Sequence, residues 1–138
     1  MRITQESDYA LRILTALAER DEVVDANSLA EETSVTLRFT LNILNKLTKN
    51  GFVSSFKGVK GGYRLKLPTD QITLKSVIEL IDGPIVMVRC LESSEVCSLN
   101  HDKRLCTYHH IFNTISSEVA TKLEGITIAD VINKNFKL

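Results

Sequence analysis

The chain has 138 residues, 43% of them hydrophobic, which is enough for one packed domain or for one small domain with an appendage. Its 17 basic and 17 acidic residues cancel, and an overall charge of zero gives no indication of a nucleic-acid partner. No apolar run approaches the roughly 20 residues of a membrane-spanning helix, and the N-terminal segment lacks the apolar core of a signal peptide. We therefore expect a cytoplasmic protein that has no membrane partner.

The first fifty residues have the periodicity of three helices. Apolar residues recur at helical spacing over residues 6–20, with Ser7 or Asp8 as the candidate N-cap. A second helix is predicted over 26–33, followed by a short turn. A third begins after Thr36, whose hydroxyl can cap it, and ends at an Asn-Gly pair. The apolar residues expected on the buried side of the third helix are Phe39, Leu41, Ile43, Leu44 and Leu47.

The period changes after Gly51, where two short strand-like segments flank a glycine-rich tip at residues 57–62. Helix, helix, turn, helix and hairpin is the element order of a winged helix-turn-helix domain. Seven basic residues and no acidic residue fall between Thr36 and Lys66, whereas the other 107 residues carry 17 acids and 10 bases. This basic block covers the third helix and the hairpin, the two parts that such a domain presents to DNA. The charge distribution therefore favours double-stranded DNA as a partner over a merely solvated surface.

The C-terminal half is predicted to contain a short helix over 73–82, an aperiodic loop over 89–106, a long helix over 107–123 and a last short helix over 129–133. One continuous apolar stripe runs along the long helix. Its members are Ile111, Phe112, Ile115, Val119, Ala120 and Leu123. A domain this small has little core to cover the stripe, so we expect either pairing with the same helix of a second chain or packing within the chain.

The predicted fold class is mainly α with a small β-hairpin. We divide the chain into a winged helix-turn-helix domain over 1–83, a cysteine-containing loop over 84–106, and a dimerisation helix with the C-terminal short helix over 107–138. No glycine-rich phosphate loop precedes a helix, and no nucleophile elbow is present. We therefore expect no enzymatic activity.

Cys90, Cys97 and Cys106 lie within 17 residues of the predicted loop. An odd cysteine count in a cytoplasmic protein argues against a disulfide framework. The spacings fit neither a redox Cys-x-x-Cys motif nor a common zinc finger, but a loop can wrap three thiolates around one centre. From these residues alone an iron–sulfur cluster, a zinc ion and a thiol switch stay equally open. His109 shares a helix face with Cys106 and is a candidate fourth ligand, and His101 within the loop is a further one.

Besides the three loop cysteines, the chain contains the stretches SDYALRILTALA, SLAEETSV, NGFVSS, GVKGGYRL, ITLKSVIELIDGP and ITIADVI. In these features the sequence resembles a family of bacterial winged-helix regulators that includes IscR, NsrR and RirA. The resemblance implies a homodimer joined through the long helix, with one iron–sulfur cluster per chain on Cys90, Cys97 and Cys106. IscR-like members add a histidine three residues after the last cysteine, which matches His109, and bind a 2Fe–2S cluster. NsrR-like members add an acidic residue of the partner subunit, which matches Asp8, and bind a 4Fe–4S cluster.

The resemblance implies an iron–sulfur-dependent transcriptional regulator, expected to be a repressor, that senses iron, redox state or nitric oxide. Its two recognition helices are expected to enter successive major grooves of a palindromic operator. The alternatives are a zinc-dependent or thiol-oxidation-switched regulator of the same fold and, less favoured, a small cluster carrier or electron-transfer protein.

The predicted DNA contacts lie at the start of the third helix and on the predicted hairpin, which is the wing of such a domain. Arg38 suits a guanine edge and Asn42 an adenine edge, whereas Phe39 has inward packing as an equal alternative. The wing lysines are expected to contact phosphate or the minor groove. The complete predicted set is Thr36, Arg38, Phe39, Thr40, Asn42, Lys57 and Lys60.

Overall fold

A computed structural model describes residues 2–92, 97, 99 and 102–138. In these residues the chain forms six α-helices, one antiparallel pair of strands and three short 3-10 turns. The helices are α1 (Gln5–Arg20), α2 (Ala26–Thr33), α3 (Leu37–Lys49), α4 (Leu74–Asp82), α5 (Thr107–Glu124) and α6 (Ile128–Asn133). The strands are β1 (Val53–Phe56) and β2 (Gly62–Leu65). The predicted class, mainly α with one β-hairpin, is confirmed.

Most helices have an N-cap residue whose side chain accepts a hydrogen bond from a backbone N–H of the first turn. Thr36 caps α3, as predicted, and Thr73 caps α4. The predicted cap of α1 is wrong, because Thr4 takes that role and the helix starts two residues before Ser7. Ser7 is instead buried in the first turn, and its backbone N–H donates to the Thr4 hydroxyl.

The helices α1 to α4 and the hairpin form the N-terminal unit of the chain, here called the head. Its core lies between α1, α2, α3 and the hairpin. Its largest fully buried side chains include Ile13, Leu14, Leu17, Leu29, Ile43, Leu44, Leu47, Ile72 and Ile128. The last of these comes from α6, which packs against α1. The Ile128 N–H donates to the Ile72 carbonyl (2.9 Å), and the Leu74 N–H donates to the Ile126 carbonyl (2.9 Å). After the long helix the chain therefore returns to the head and completes its core.

The wing is joined to the linker between α1 and α2. Val24 and Tyr63 exchange two backbone hydrogen bonds of 2.9 and 2.8 Å, which extend the two-stranded sheet by one bridge. Gly62 makes this close approach possible, because a Cβ atom there would lie 2.4 Å from the Val24 carbonyl oxygen. Its φ of +155° is a further reason for glycine at this position.

The long helix α5 packs on α4 and leaves another side open. Phe112, Val119, Ala120 and Leu123 are half-buried, whereas Tyr108, Ile111 and Ile115 stay 72%, 47% and 39% exposed. Packing within the chain therefore accounts for part of the stripe, and pairing of its exposed part with a second chain stays a prediction. In the described part of the chain, no helix is long and apolar enough to cross a membrane.

Candidate DNA-binding surface and cysteine loop

The exposed face of α3 carries two of the side chains predicted to read bases. Arg38 and Asn42 are both exposed and lie four positions apart, so they project from one side of the helix. Thr36 is exposed at the N-cap, where its hydroxyl accepts a hydrogen bond from the Phe39 N–H. This face is available to a major groove.

The prediction that Thr40 contacts DNA is wrong. Its side chain is fully buried beside Ile43 and Leu44 on the core side of α3, so it is not available to a base edge. Two apolar residues predicted on that core side are exposed instead, Phe39 by 49% and Leu41 by 42%. The cause is the helical period, which places these two residues on the flanks of a core side centred on Thr40, Ile43 and Leu44.

Phe39 is partly packed and partly free. Its ring meets the ring of Tyr9 edge-on, with centroids 6.1 Å apart, which fixes one side of the phenyl group against α1. The other half of the side chain is in solvent. The inward packing predicted for this residue is therefore observed on one side of its ring, and a DNA contact by the other side stays a prediction.

The basic block is partly neutralised by acids outside it. The Lys46 ammonium lies 2.6 Å from the Glu6 carboxylate, and the Arg64 guanidinium lies 3.1 Å from that of Asp21. No ion pair in the described residues involves the other five, which are Arg38, Lys49, Lys57, Lys60 and Lys66. All five are exposed. The free positive charge is thus concentrated on α3 and the wing, which carries Lys57 and Lys60 beside its tip.

The three cysteines are free, half-buried thiols. Cys90 lies in the 3-10 turn Arg89–Leu91, and Cys106 is the N-cap residue of α5. Cys97 and Cys106 line one cavity of about 310 Å³, together with Leu99, Asp102 and Leu105. The described residues contain no group of three His, Cys, Asp or Glu side chains close enough to hold a metal ion.

Two of the three candidate fourth ligands, His109 and Asp8, differ in their hydrogen bonding. The Nδ1 atom of His109 is buried and has no hydrogen-bond partner among the described residues. The Asp8 carboxylate is occupied by an ion pair of 2.6 Å with Arg12. The neighbouring His110 is also engaged, because its Nε2 lies 2.6 Å from the Arg104 carbonyl oxygen. His101 lies outside the described residues.

Asp102 is a polar neighbour of the thiols that the sequence analysis did not identify. Its carboxylate accepts hydrogen bonds from the Arg104 side chain and backbone, and these bonds lower the pKa of Asp102. The positive charge of Arg104, which lies two residues before Cys106, is therefore paired with Asp102. No sequence signal identifies this pair beyond the short separation of its two members.

The comparisons with known proteins agree with this architecture. A family model described as "Rrf2: Iron-dependent Transcriptional regulator" matches residues 3–134. The chain belongs to the Rrf2 family. The family resemblance seen in the sequence is thereby confirmed, and the winged helix-turn-helix of this Rrf2 protein is a DNA-binding domain of a transcriptional regulator.

Individual relatives of this Rrf2 protein cover it almost completely. It is 33% identical to a helix-turn-helix transcriptional regulator of Aquifex aeolicus, over 91% of this chain and 87% of the relative. It is 29% identical to the regulator IscR of Yersinia enterocolitica, over 96% of this chain and 80% of the relative. Its fold is similar to that of CymR, the global cysteine regulator of B. subtilis, with a TM-score of 0.79 at 24% identity, over 97% of this chain and 98% of that chain.

Proposed function

We propose that this Rrf2 protein is a homodimeric repressor whose affinity for a palindromic operator is set by an iron–sulfur cluster, one per chain. The observation that carries the proposal is a set of metal-binding side chains in the cysteine loop and the first turn of α5. It consists of the three free thiols of Cys90, Cys97 and Cys106 and the unpartnered Nδ1 of His109. The iron-dependent family description and the similarity to an IscR support iron, redox state or nitric oxide as the signal.

The residues present fit such a cluster by their chemistry. Thiolates and imidazole are the ligands of 2Fe–2S centres with mixed coordination. Cys97 and Cys106 already face a common cavity, and the buried Nδ1 of His109 lacks the partner that a buried polar atom normally has. Binding would require the loop to rearrange, because among the described residues the three thiols and His109 do not yet form one group close enough to hold a metal. A bound cluster would supply a redox-active centre, and its loss would free the side chains that held it.

The fourth ligand is better supplied by His109 than by Asp8 of the partner subunit. Recruiting Asp8 would first break its ion pair with Arg12, whereas a bond to His109 would satisfy an atom that has no partner in the described residues. We therefore propose ligation by His109 with a 2Fe–2S cluster. Ligation by Asp8 with a 4Fe–4S cluster is the competing outcome.

The proposed dimer uses the open side of α5. Tyr108, Ile111 and Ile115 are spaced three and four positions apart, so they form one exposed apolar strip. Two copies of the strip can cover each other across a twofold axis. This arrangement pairs two heads, as a palindromic operator requires.

The decisive experiment is an absorption spectrum of anaerobically purified protein, with iron, acid-labile sulfide and zinc measured on the same sample. We expect visible charge-transfer bands and matched iron and sulfide. Cys97→Ala should abolish the cluster, and normal iron loading of that variant would refute the ligand assignment. His109→Ala and Asp8→Ala form a matched pair, because only the variant of the true fourth ligand should change the spectrum.

A thiol-based regulator is the second candidate, because Cys97 and Cys106 already share one cavity. In this case a peroxide oxidises the two thiols to one disulfide, taking up two electrons and two protons as it is reduced to water. A colourless protein that loses two thiols on peroxide treatment would favour this alternative. A colourless protein with stoichiometric zinc would instead indicate a zinc-dependent regulator.

A further inference from the structure

The recognition helix carries two exposed leucines on one edge. Leu37 is 41% exposed and Leu41 is 42% exposed, and the separation of four positions places their side chains next to each other. The two residues adjoin the face that carries Arg38 and Asn42. An apolar strip of this kind lies within the surface that the helix presents to DNA.

The packing of α3 leaves this edge, and not the opposite one, for the DNA. The opposite edge is held against α1 by the edge-on contact of Phe39 with Tyr9 and by the ion pair of Lys46 with Glu6. The third side, centred on Thr40, is in the core. A major groove that receives Arg38 and Asn42 therefore also encloses the edge formed by the two leucines.

Thymine is the base that suits such a strip. It alone presents a methyl group in the major groove, beside its O4 acceptor, whereas cytosine, adenine and guanine offer a leucine no methyl group there. We propose that Leu37 and Leu41 are specificity-determining residues that select thymines in each half-site by contacting their C5-methyl groups. This inference rests on the proposed DNA contact of α3 and deepens it.

The expected size of the effect follows from the burial of one methyl group. Burying one CH₂ or CH₃ unit is worth about 0.8 kcal/mol, which corresponds to about a fourfold change in affinity. A symmetric dimer repeats the contact in both half-sites, so the loss of one methyl from each half-site should weaken binding by roughly sixteenfold.

The test replaces thymine by deoxyuridine, which removes the methyl group and leaves the base pair intact. The preferred sequence of the full-length, anaerobically purified protein is first selected from a pool of random duplexes. Each thymine is then replaced singly, and the affinity is measured by fluorescence anisotropy. The same series is measured with Leu37→Ala and Leu41→Ala, and with Leu138→Ala as a control at an exposed leucine far along the chain.

We expect at least one thymine per half-site to show the fourfold loss with the wild-type protein and the control. The loss should disappear in Leu37→Ala or Leu41→Ala, whose unchanged circular dichroism verifies folding. Selective binding with equal affinity for thymine and deoxyuridine at every position would overturn the inference and leave the DNA-binding function intact. A protein that selects no sequence at all would overturn the proposed function and this inference together.

Discussion

Replacing the two wing lysines, Lys57 and Lys60, by glutamine should reduce the salt dependence of DNA binding without abolishing sequence preference. Both side chains are exposed, and neither takes part in an ion pair within the described residues. Lysines in this position neutralise phosphates and release the counterions bound to them. They contribute affinity for any duplex, whereas the choice of sequence depends on base contacts.

The magnitude follows from counting charges. Each neutralised phosphate contributes about 0.9 to the negative slope of log K against log salt concentration. The five unpaired basic side chains on α3 and the wing give ten per dimer, and hence a slope of at most about −9. The double variant removes four of these ten charges, so the slope should become less steep by about 3.6.

Fluorescence anisotropy with a labelled duplex, repeated over a range of potassium chloride concentrations, measures the slope directly. The matched control removes two lysines near the C-terminus, as Lys134→Asn with Lys137→Gln. Asparagine suits position 134, because φ is +53° there. The same slope for wild type and the wing variant would refute the proposed docking. An equal decrease in the control would show that overall charge, and not the wing, is responsible.

Three further outcomes follow from the packing. Gly62→Ala should destabilise the fold by about 1–3 kcal/mol in urea unfolding, because its Cβ meets the Val24 carbonyl oxygen, whereas Gly125→Ala has ordinary contacts of 3.6 Å and should change little. Ile115→Asp should convert the proposed dimer to monomers in light scattering, and Asn113→Asp on the opposite side of α5 should not. Burial raises the pKa of Asp82, but hydrogen bonds from Thr4 outweigh it and hold that pKa below the ordinary 3.8. Asp82→Asn should therefore lower the free energy of unfolding at neutral pH, and this difference from the wild type should disappear as the pH falls through the lowered pKa. A difference that persists in acid would contradict this reasoning.

The helices could be predicted from the sequence because their signals are local. The predicted bounds of α2 are those observed, and Thr36 and Thr73 cap the helices that follow them. A cap depends on a hydroxyl and on an N–H two or three residues further on, so it can be read from a short stretch. The incorrect cap of α1 also follows from this local signal, since Thr4, Ser7 and Asp8 each carry an oxygen that is able to cap a helix.

The surface of α3 could not be predicted in the same way. The sequence shows that Thr40 and Leu41 are adjacent, but it does not show where the centre of the buried side lies. As a result Thr40, expected at the DNA, is buried, and Leu41, expected in the core, is exposed. The pairing of Lys46 with Glu6 joins residues 40 positions apart. Such contacts depend on how α1 crosses α3, which the composition of neither helix determines.

The arrangement of α5 indicates how a change in the cysteine loop could reach the two heads. The C-terminal end of α5 is held to the head, because Glu124 lies 3.7 Å from the Lys75 ammonium and accepts a hydrogen bond from the Thr73 hydroxyl. The N-terminal end begins at Cys106, in the loop itself. An 18-residue helix is about 27 Å long, so a small rotation about the anchored end moves the other end by several ångströms.

The N-terminal half of α5 also carries the proposed dimer strip, since Tyr108, Ile111 and Ile115 all lie in the first half of the helix. Ligation of Cys106 and His109 would therefore act on the half of the helix that joins the two subunits of the proposed dimer, and not on the half that contacts the head. The position of the two heads relative to each other would change while each head keeps its own fold. Because the spacing of half-sites is fixed by DNA geometry, a displacement of this kind is sufficient to alter operator affinity.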